Sequence, residues 1–406
     1  MKKKWFTSLG PGLLFAGAAI GVSHLVQSTR AGADFGFGLL WALLLVNIFK
    51  YPFFQYGPRY ATATGESLID GYKKLGNGVL ILYYILTFAT MFTIQAAVTI
   101  VTAGLAANLF GITSDITTWS IIITIICFAT LLMGKYKLLD NLIKVIIIIL
   151  TLSTIIAVSV ALFNTSRSYD FAQVIPEGAL EIGFLIAFLG WMPAPLDISA
   201  WHSLWAIEKQ KDLKKSFDTK QAIFDFNIGY AGTIFLAICF LSLGALVMYQ
   251  SGNTFSGSAG KFAQQIISLY TENLGSQTSI FIAIAAFTTM FSTTLTTLDA
   301  SPRAMAKSTE LLFNNTYKFN YIIWIILLAI GTILILTLFI SNMITMIKIA
   351  TILSFLTAPF YAIANFILIS SKHTPTNWHP SKAMKIVSYL GIIFLIGFSI
   401  WYLMNL

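Results

Sequence analysis

The sequence predicts an all-α membrane protein with eleven transmembrane helices, and three observations lead to this fold class. First, 57% of the 406 residues are hydrophobic and only 10% are charged, whereas about 25% of the residues in an average soluble domain are charged. So few charged side chains cannot cover the surface of a soluble protein of this size. Second, the apolar residues form eleven long stretches. Third, the basic residues fall into alternate connections between these stretches.

The apolar stretches have the length of membrane-spanning helices. A bilayer core about 30 Å thick is crossed by about 20 mainly apolar residues. The predicted spans, numbered 1 to 11, lie near residues 9–29, 36–61, 77–110, 117–134, 139–163, 179–206, 223–249, 277–306, 318–340, 343–370 and 383–405. A basic segment precedes span 1, as in a signal peptide, but no clear cleavage site with small residues follows it. We therefore expect span 1 to be retained.

The basic residues predict the orientation, because positive charges favour the cytoplasmic side of a membrane. With a cytoplasmic N-terminus, all but five of the 25 basic residues fall near cytoplasmic connections. They cluster at 2–4, 59–74, 135–144, 209–220, 303–318 and 372–385. The exceptions are Arg30, Arg167 and Lys261 on the opposite side, with Lys50 and Lys348 inside spans. We predict a multi-pass protein of the cytoplasmic (inner) cell membrane with an extracytoplasmic C-terminus, for which nucleic acid is not an expected partner.

Spans 1 and 6 carry the signs of broken helices. Span 1 changes from apolar residues to the polar segments 21–24 and 27–29. In span 6, Pro193 and Pro195 remove two amide donors and clash with the preceding turn. The alternative is that these prolines only kink a packed helix. Because Asp197 follows them closely and a polar break lies five spans earlier, we favour a substrate site of the kind that transporters form between interrupted helices.

The offset of five spans is that of a 5+5 inverted repeat. It predicts a single transporter domain over residues 1–406, with one repeat at about 9–163 and a second at about 179–370. Residues 383–405 form an extra helix in this scheme.

Ionisable residues inside a membrane are costly and indicate function. Asp197 is the best candidate, because a carboxylate can coordinate a cation through oxygen or carry a proton. His24 can bind a metal or move a proton; alternatively, it forms hydrogen bonds with carbonyls freed at the break. Ser23 and Gln27 can add neutral oxygens to the same cavity.

A second set of polar residues predicts a gating or ion-pair network. Asp299 and Arg303 are four residues apart, so they can pair on one helix face. His202 lies on nearly the opposite side of its half-helix from Asp197, and a structural hydrogen bond is favoured for it. Three further charged residues, Lys50, Asp225 and Lys348, lie inside spans 2, 7 and 10. They can complete an internal ion-pair network, but the sequence gives no basis for pairing them. Alternatively, the two lysines can snorkel towards the interface.

Several motifs resemble one known family. The first two motifs are GPGLLFAGAAIG at 10–21 and AGADFGFGLLWALLLVN at 31–47. They are followed by Gln55, Arg59 and Thr64-Gly65 at the end of span 2, and by STTLTTLDASPRAMA at 292–306 in span 8. These residues resemble the NRAMP family of proton-coupled divalent metal transporters. The resemblance implies a LeuT-type fold of eleven spans with a metal site where helices 1 and 6 unwind.

The first half of that implied site differs from the family pattern. Counted back from residues 31–33, the family's DPGN motif becomes residues 21–24. Gly21 then replaces the metal-binding Asp, and His24 replaces the Asn ligand. Span 3 contains no carboxylate, so the family's acidic proton route is absent there.

Span 6 can be aligned with the family motif in two alternative ways. Met192-Pro193 matches its Met-Pro-His sequence only if an insertion precedes His202-Ser203. An ungapped match puts Pro195 where the family has a thioether Met. Because a soft thioether favours transition metals over Mg²⁺ and Ca²⁺, its loss predicts atypical selectivity.

The sequence therefore predicts a secondary transporter that moves a divalent cation by alternating access, with proton coupling left open. The predicted substrate residues are Gly21, Ser23, His24, Gln27, Met192, Pro195 and Asp197. One alternative is ion-coupled transport of a small organic solute, since half-helix N-termini can receive an anionic group; another is a family member that does not transport. Motifs of intramembrane enzymes are missing. No resident cofactor is expected, and the expected partners are the lipid bilayer, the metal ion and, if coupled, protons.

Overall fold

The computed structural model describes residues 10–133, 136–164, 170–212, 218–252, 254–314, 319–339 and 342–405, and the side chains of all of these except 136–147, 164 and 212. Within these ranges the regular elements are helices, and no β-strand occurs. Some of the basic residues used to predict the orientation lie outside the described side chains. They are Lys2, Lys3, Lys4, Lys135, Lys137, Lys144, Arg167, Lys214, Lys215 and Lys318.

The described residues form fifteen α-helices, numbered here in chain order. They are α1 (Pro11–Ala19), α2 (Thr29–Phe35), α3 (Leu40–Thr64), α4 (Leu68–Leu75), α5 (Asn77–Phe110), α6 (Ile116–Leu132), α7 (Tyr136–Asn164), α8 (Ala179–Trp191), α9 (Ile198–Asp212), α10 (Thr219–Val247), α11 (Ala259–Leu274), α12 (Ser279–Phe313), α13 (Asn320–Leu334), α14 (Met343–Ser370) and α15 (Lys382–Met404). A π-helical segment, Ser23–Ser28, joins α1 to α2, and another, Ile335–Phe339, extends α13.

Each predicted span contains a helix or a pair of helices, so the predicted fold class is confirmed. Six helices, α5, α10 and α12 to α15, are long and apolar enough to cross a membrane, and α1 with the segment 23–35 forms a seventh, bent span. Shorter apolar helices, α6 and α8, occupy span 4 and the first half of span 6, and residues 148–163 of α7 form an apolar helical stretch in span 5. Span 2 is the 25-residue helix α3, whose polar residues lower its hydropathy.

Span 1 is longer than predicted. The sequence predicts its end near residue 29, but α2 continues to Phe35. Arg30 and Asp34 lie one turn apart on α2 with 3.7 Å between nitrogen and oxygen, and such a pair supports helix continuation. Charged residues that looked like a loop therefore belong to the helix end.

The two broken spans lie at the centre of the helix bundle. Helix α10 packs against α1, α2 and α3, while α9 packs against α3 and α8 packs against α14. Helices α1 and α9 also contact each other, and α12 contacts α1 and α5. Continuous helices thus surround both breaks.

Close crossings hold the broken span 1 against α10. A Cβ at Gly12 would lie 2.2 Å from the carbonyl oxygen of Asp225, and one at Gly244 would lie 2.1 Å from that of Thr29. Because only glycine permits this approach, each half of span 1 has its own crossing point on α10.

Two amphipathic helices flank the bundle. The Ser67 side chain accepts the amide of Asp70, and the Asp70 carboxylate accepts the amide of Ser67, which forms a capping box at the start of α4. Asp70 here takes the place of the Glu or Gln that usually completes a capping box. Helix α11 buries Phe262, Ile266 and Tyr270 among other residues and packs against α5 and α7. We name the sides of the bundle the α4 face and the α11 face.

Candidate substrate site at the helix breaks

The break in span 1 lies between Ala19 and Ser23. Helix α1 ends at Ala19, and Ile20 leaves the helical conformation. The chain turns back into a helix when the amides of His24 and Leu25 bond to the carbonyl of Gly21, at 3.1 and 2.9 Å. The two parts of the span differ in direction by 45°. The sequence thus located this break correctly.

His24 forms hydrogen bonds with backbone groups at the break. Its side chain is fully buried. Nδ1 lies 2.7 Å from the Ser23 hydroxyl and 3.1 Å from the carbonyl oxygen of Ala19. Nε2 lies 2.9 Å from the carbonyl oxygen of Thr233 on α10. Since protein groups occupy both ring nitrogens, the geometry favours the carbonyl-bonding alternative for His24 over the ligand role.

The break in span 6 leaves backbone carbonyls without amide partners. Helix α8 ends at Trp191, and Met192 is extended. The carbonyl of Leu189 would normally accept the amide four residues later, but that residue is Pro193, which has none. Helix α9 begins again at Ile198.

Lys50 replaces these missing donors. Its ammonium lies 2.7 Å from the carbonyl oxygens of Leu189 and Gly190 and 3.3 Å from that of Ala194. The Lys50 side chain is fully buried in the middle of α3. It therefore does not snorkel to the interface, and it belongs to the internal network. The sequence identified Lys50 as an isolated charge but gave no partner for it.

Asp197 lies in the same region as the Lys50 ammonium. It is 4% exposed, and its Oδ1 atom is buried without a hydrogen-bond partner among the described residues. Asp197 and Lys50 interact electrostatically. Buried polar atoms are normally paired, so this oxygen is available for a ligand.

A cluster of buried tyrosines that the sequence analysis did not single out lies near the start of α9. The ring centroids of Tyr72 and Tyr83 are 5.2 Å apart and those of Tyr83 and Tyr361 are 6.0 Å apart. The Tyr83 hydroxyl is also buried without a described partner, and the Tyr72 hydroxyl donates to the Asn365 side chain at 2.5 Å. These residues lie on α4, α5 and α14, too far apart in sequence for a motif to connect them.

A small cavity lies between the two breaks. It offers about 20 Å³ to the centre of a water-sized sphere, and about 10–15 Å³ is enough for one water molecule. Ser23 and Pro195 are the predicted substrate residues that line it, together with Trp201 on α9 and Thr293 and Thr297 on α12. The structure therefore brings part of each break to one mainly apolar space that contains three hydroxyl groups.

The other predicted substrate residues are not among those that line this cavity. Gln27 is buried, and its Oε1 has no described partner. The Met192 sulfur lies 3.8 Å from the Ser28 hydroxyl. Gly21 lies against Thr293, since a Cβ at Gly21 would be 2.9 Å from that side chain. Within the described residues, no group of three or more His, Cys, Asp or Glu side chains is arranged to hold a metal.

The hydrogen bond predicted for His202 is absent. Both ring nitrogens are buried without a partner among the described residues. The ring stacks on Phe15 at a centroid distance of 5.6 Å and lies 5.7 Å from the ring of Phe226. The prediction was wrong because His202 faces an aromatic cluster of α1 and α10, and it has no contact with the Asp299–Arg303 pair in the described structure.

The predicted Asp299–Arg303 pair is present and has an additional member. Arg303 Nε donates to Asp299 Oδ2 at 2.7 Å, and the Tyr321 hydroxyl donates to Asp299 Oδ1 at 2.6 Å. The Arg303 guanidinium also lies over the Tyr321 ring, 4.8 Å from its centroid. Helix α12 is thereby joined to α13.

This network borders a vestibule of about 590 Å³ at the α4 face. Arg303 and Tyr321 line it, and Lys307 lies 3.1 Å from Asp70 across it, which connects α12 to α4. Leu204 lines the vestibule, and Trp201, one turn earlier on α9, lines the small cavity. The two spaces therefore follow one another along α9.

Solved transporter structures share this fold. The chain is similar to the manganese transporter of Eremococcus coleocola, solved as a mutant, with a TM-score of 0.75 at 15% identity over 98% of this chain and 86% of that one. It is also similar to Mhp1, a nucleobase-cation-symport-1 family transporter, with a TM-score of 0.62 at 14% identity over 97% and 91% of the two chains. MhsT, solved in complex with L-phenylalanine, has a TM-score of 0.61 at 13% identity over 96% and 98%.

Sequence comparisons identify the family of the chain in addition to its fold. An uncharacterized protein of Pasteurella multocida (strain Pm70) is 35% identical over 413 residues, which cover 99% of this chain and 94% of that protein. The family model described as natural resistance-associated macrophage protein-like, Nramp, matches residues 12–405. The chain is a multi-pass membrane transporter and not an enzyme. It belongs to the Nramp family.

Proposed function

We propose that this chain is an alternating-access transporter of a divalent cation and that Asp197 supplies the negative charge of its site. The carboxylates support this assignment. Among the described residues, Asp197, Asp225 and Asp299 are the buried acidic residues. Asp225 accepts the amides of Gly10 and Gly12 at 3.1 and 2.7 Å, and Asp299 is held by Arg303 and Tyr321. Asp197 alone has a free oxygen.

The coordination that we propose is built from oxygen. Asp197, the Gln27 side chain and backbone carbonyls at the breaks are hard donors, which suit Mg²⁺, Ca²⁺ and Mn²⁺. Neither soft donor belongs to this proposed coordination, because His24 is engaged with carbonyls and the Met192 sulfur lies against the Ser28 hydroxyl. We therefore expect weaker preference for transition metals than a site with imidazole or thioether ligands would have.

The vestibule and the small cavity form the proposed pathway from the α4 face. We propose that this face is cytoplasmic, because Lys73, Lys74 and Lys307 lie on it and positive charges favour the cytoplasmic side. In this orientation the N-terminus is cytoplasmic, the C-terminus is extracytoplasmic, and the membrane is the cytoplasmic membrane. The Asp299–Arg303–Tyr321 network and the Lys307–Asp70 pair are the proposed gate, because they connect α12 to α13 and to α4 at the vestibule.

Proton coupling has few candidate groups. Helix α5 contains no carboxylate, and the charged groups beside the site are Asp197 and Lys50. If a proton is exchanged for the cation, we expect one of these two residues to carry it.

Flux measurements test the proposed cargo. Purified protein in liposomes that enclose a divalent-sensitive dye should show saturable influx of at least one of Mg²⁺, Ca²⁺, Mn²⁺ and Zn²⁺. The same vesicles with an imposed pH gradient measure proton coupling. Absence of flux for all four ions, with folded protein in the vesicles, contradicts the proposal.

A second candidate is ion-coupled uptake of a small organic anion or zwitterion. Lys50 favours it, because a fixed positive charge beside the break attracts a substrate carboxylate through space, without a hydrogen bond. The fold likeness to MhsT, solved with L-phenylalanine, is compatible with this function but shows the fold alone. Uptake of labelled amino acids that is insensitive to divalent cations would support this candidate over the first.

A further inference from the structure

The Lys50 ammonium occupies a cage of oxygen atoms at the end of α8. Carbonyls of Leu189, Gly190 and Ala194 lie within 3.3 Å of Nζ. An ammonium has three donors and no acceptor, so these three contacts use all of its hydrogen-bonding capacity. The last carbonyls of a helix carry partial negative charge, which a cation neutralises.

The position of Lys50 rules out a role at the membrane surface. It is the eleventh residue of α3, about 15 Å along the helix axis from its start and about 21 Å from its end, at 1.5 Å per residue. Its side chain is fully buried. Charges buried at this depth are rare and mark functional pathways.

Lys50 also acts on Asp197, the proposed cation ligand. The two side chains interact electrostatically, and Lys50 bonds to Ala194, three residues before Asp197. A divalent cation that binds to Asp197 is therefore close to a fixed positive charge. The ammonium therefore weakens cation binding at Asp197, because like charges repel.

We propose that Lys50 is a tethered cation that competes with the cargo for the oxygens of the span 6 break, and thereby sets cation affinity and selectivity. This inference rests on the proposed function. Lys50 is a specificity-determining residue in this account, since it occupies carbonyls that a free cation would otherwise use. It lowers affinity for every divalent cation and most strongly for those that need several carbonyl ligands.

Cation binding by neutral variants tests this proposal. Lys50→Met removes both the charge and the hydrogen bonds, while Lys50→Gln removes the charge and retains a donor to the carbonyls. Lys348→Met is the matched control, because Lys348 is another lysine within a span, on α14, and lies against Gly183. Binding is measured from the shift in thermal unfolding during titration with Mg²⁺, Ca²⁺ and Mn²⁺, on protein that elutes as a single species.

We expect both Lys50 variants to bind at least one of these ions about tenfold more tightly, or better, than the wild type, as removal of a nearby positive charge requires. Adding Asp197→Asn should abolish the gain, and Lys348→Met should bind like the wild type. If Lys50→Met proves unstable, Lys50→Gln still decides the result. Equal affinity in the wild type and the neutral variants would show that Lys50 only caps α8, and would overturn the inference.

Failure of the proposed function has a different signature. If neither the wild type nor the Lys50 variants respond to any divalent cation, the cargo assignment fails and the competition inference fails with it. If the wild type does not respond but the Lys50 variants do, competition by Lys50 is supported and divalent transport by the native protein is contradicted.

Discussion

At the scale of single residues, hydrogen-bond partners separate groups that look equivalent in sequence. Asp225 and Asp299 were candidates for an internal network, and both oxygens of each carboxylate accept hydrogen bonds. Asp225 accepts two amides at the start of α1, where a helix N-terminus favours negative charge. Asp197 retains an unpaired oxygen beside Lys50, which explains why it is the residue on which transport depends in our account.

The residue-scale prediction concerns His24. Because both ring nitrogens bond to protein groups, His24→Ala should leave buried carbonyls unpaired and lower the free energy of unfolding by about 1–3 kcal/mol. Cation affinity should change by less than about threefold, well below the tenfold that corresponds to 1.4 kcal/mol. Thermal unfolding with and without the cation measures both quantities.

His202 provides the control for this measurement. Its nitrogens have no described partners, and its ring packs among aromatic side chains, so His202→Phe should be neutral or stabilising. A His24→Ala variant with wild-type stability and tenfold weaker cation binding would instead identify His24 as a ligand.

At the scale of elements, α10 fixes the two halves of span 1 relative to each other. It contacts α1 near Gly12 and α2 near Gly32, where a Cβ on either glycine would overlap α10 backbone atoms. His24 adds a hydrogen bond to Thr233 between these crossings. A rearrangement of span 1 during transport must therefore involve α10.

Two alanine substitutions on α10 test these crossings. A Cβ at Gly244 would lie 2.1 Å from the Thr29 carbonyl oxygen, so Gly244→Ala should force the helices apart and cost about 1–3 kcal/mol or more, as overpacking does. Gly232 lies on the same helix with nothing within 4 Å of its Cβ position. Gly232→Ala should be neutral or stabilising by about 0.5–1 kcal/mol. Equal melting temperatures for the two variants would contradict the close crossing.

At the scale of the whole molecule, the sequence predicts the span pattern and the two breaks well, because both follow from local chemistry. Apolar stretches, Pro193, Pro195 and the polar residues of span 1 each act within a few residues. The surroundings of Asp197 could not be predicted in this way. Lys50 approaches the span 6 break from α3, and only tertiary packing decides which helix faces which.

The predicted orientation can be checked with single cysteines. The native Cys127 and Cys239 are buried, so introduced cysteines should dominate labelling. Lys261 is exposed on α11, and Lys372 is exposed beyond the end of α14, on the side where Arg59 donates to the carbonyl of His379. In intact cells, a membrane-impermeant thiol reagent should label Lys261→Cys and not Lys372→Cys. The reverse pattern would invert the topology.

The most direct test of the central claim is cation flux through Asp197→Asn in liposomes. The substitution preserves the shape of the side chain and removes its charge, whereas Asp34→Asn removes an exposed carboxylate on α2 and serves as the control. Our account predicts that Asp197→Asn reduces saturable divalent flux at least about a hundredfold, which corresponds to about 2.7 kcal/mol, while Asp34→Asn transports like the wild type. Flux through Asp197→Asn at the wild-type rate would contradict the claim that this carboxylate carries the cation.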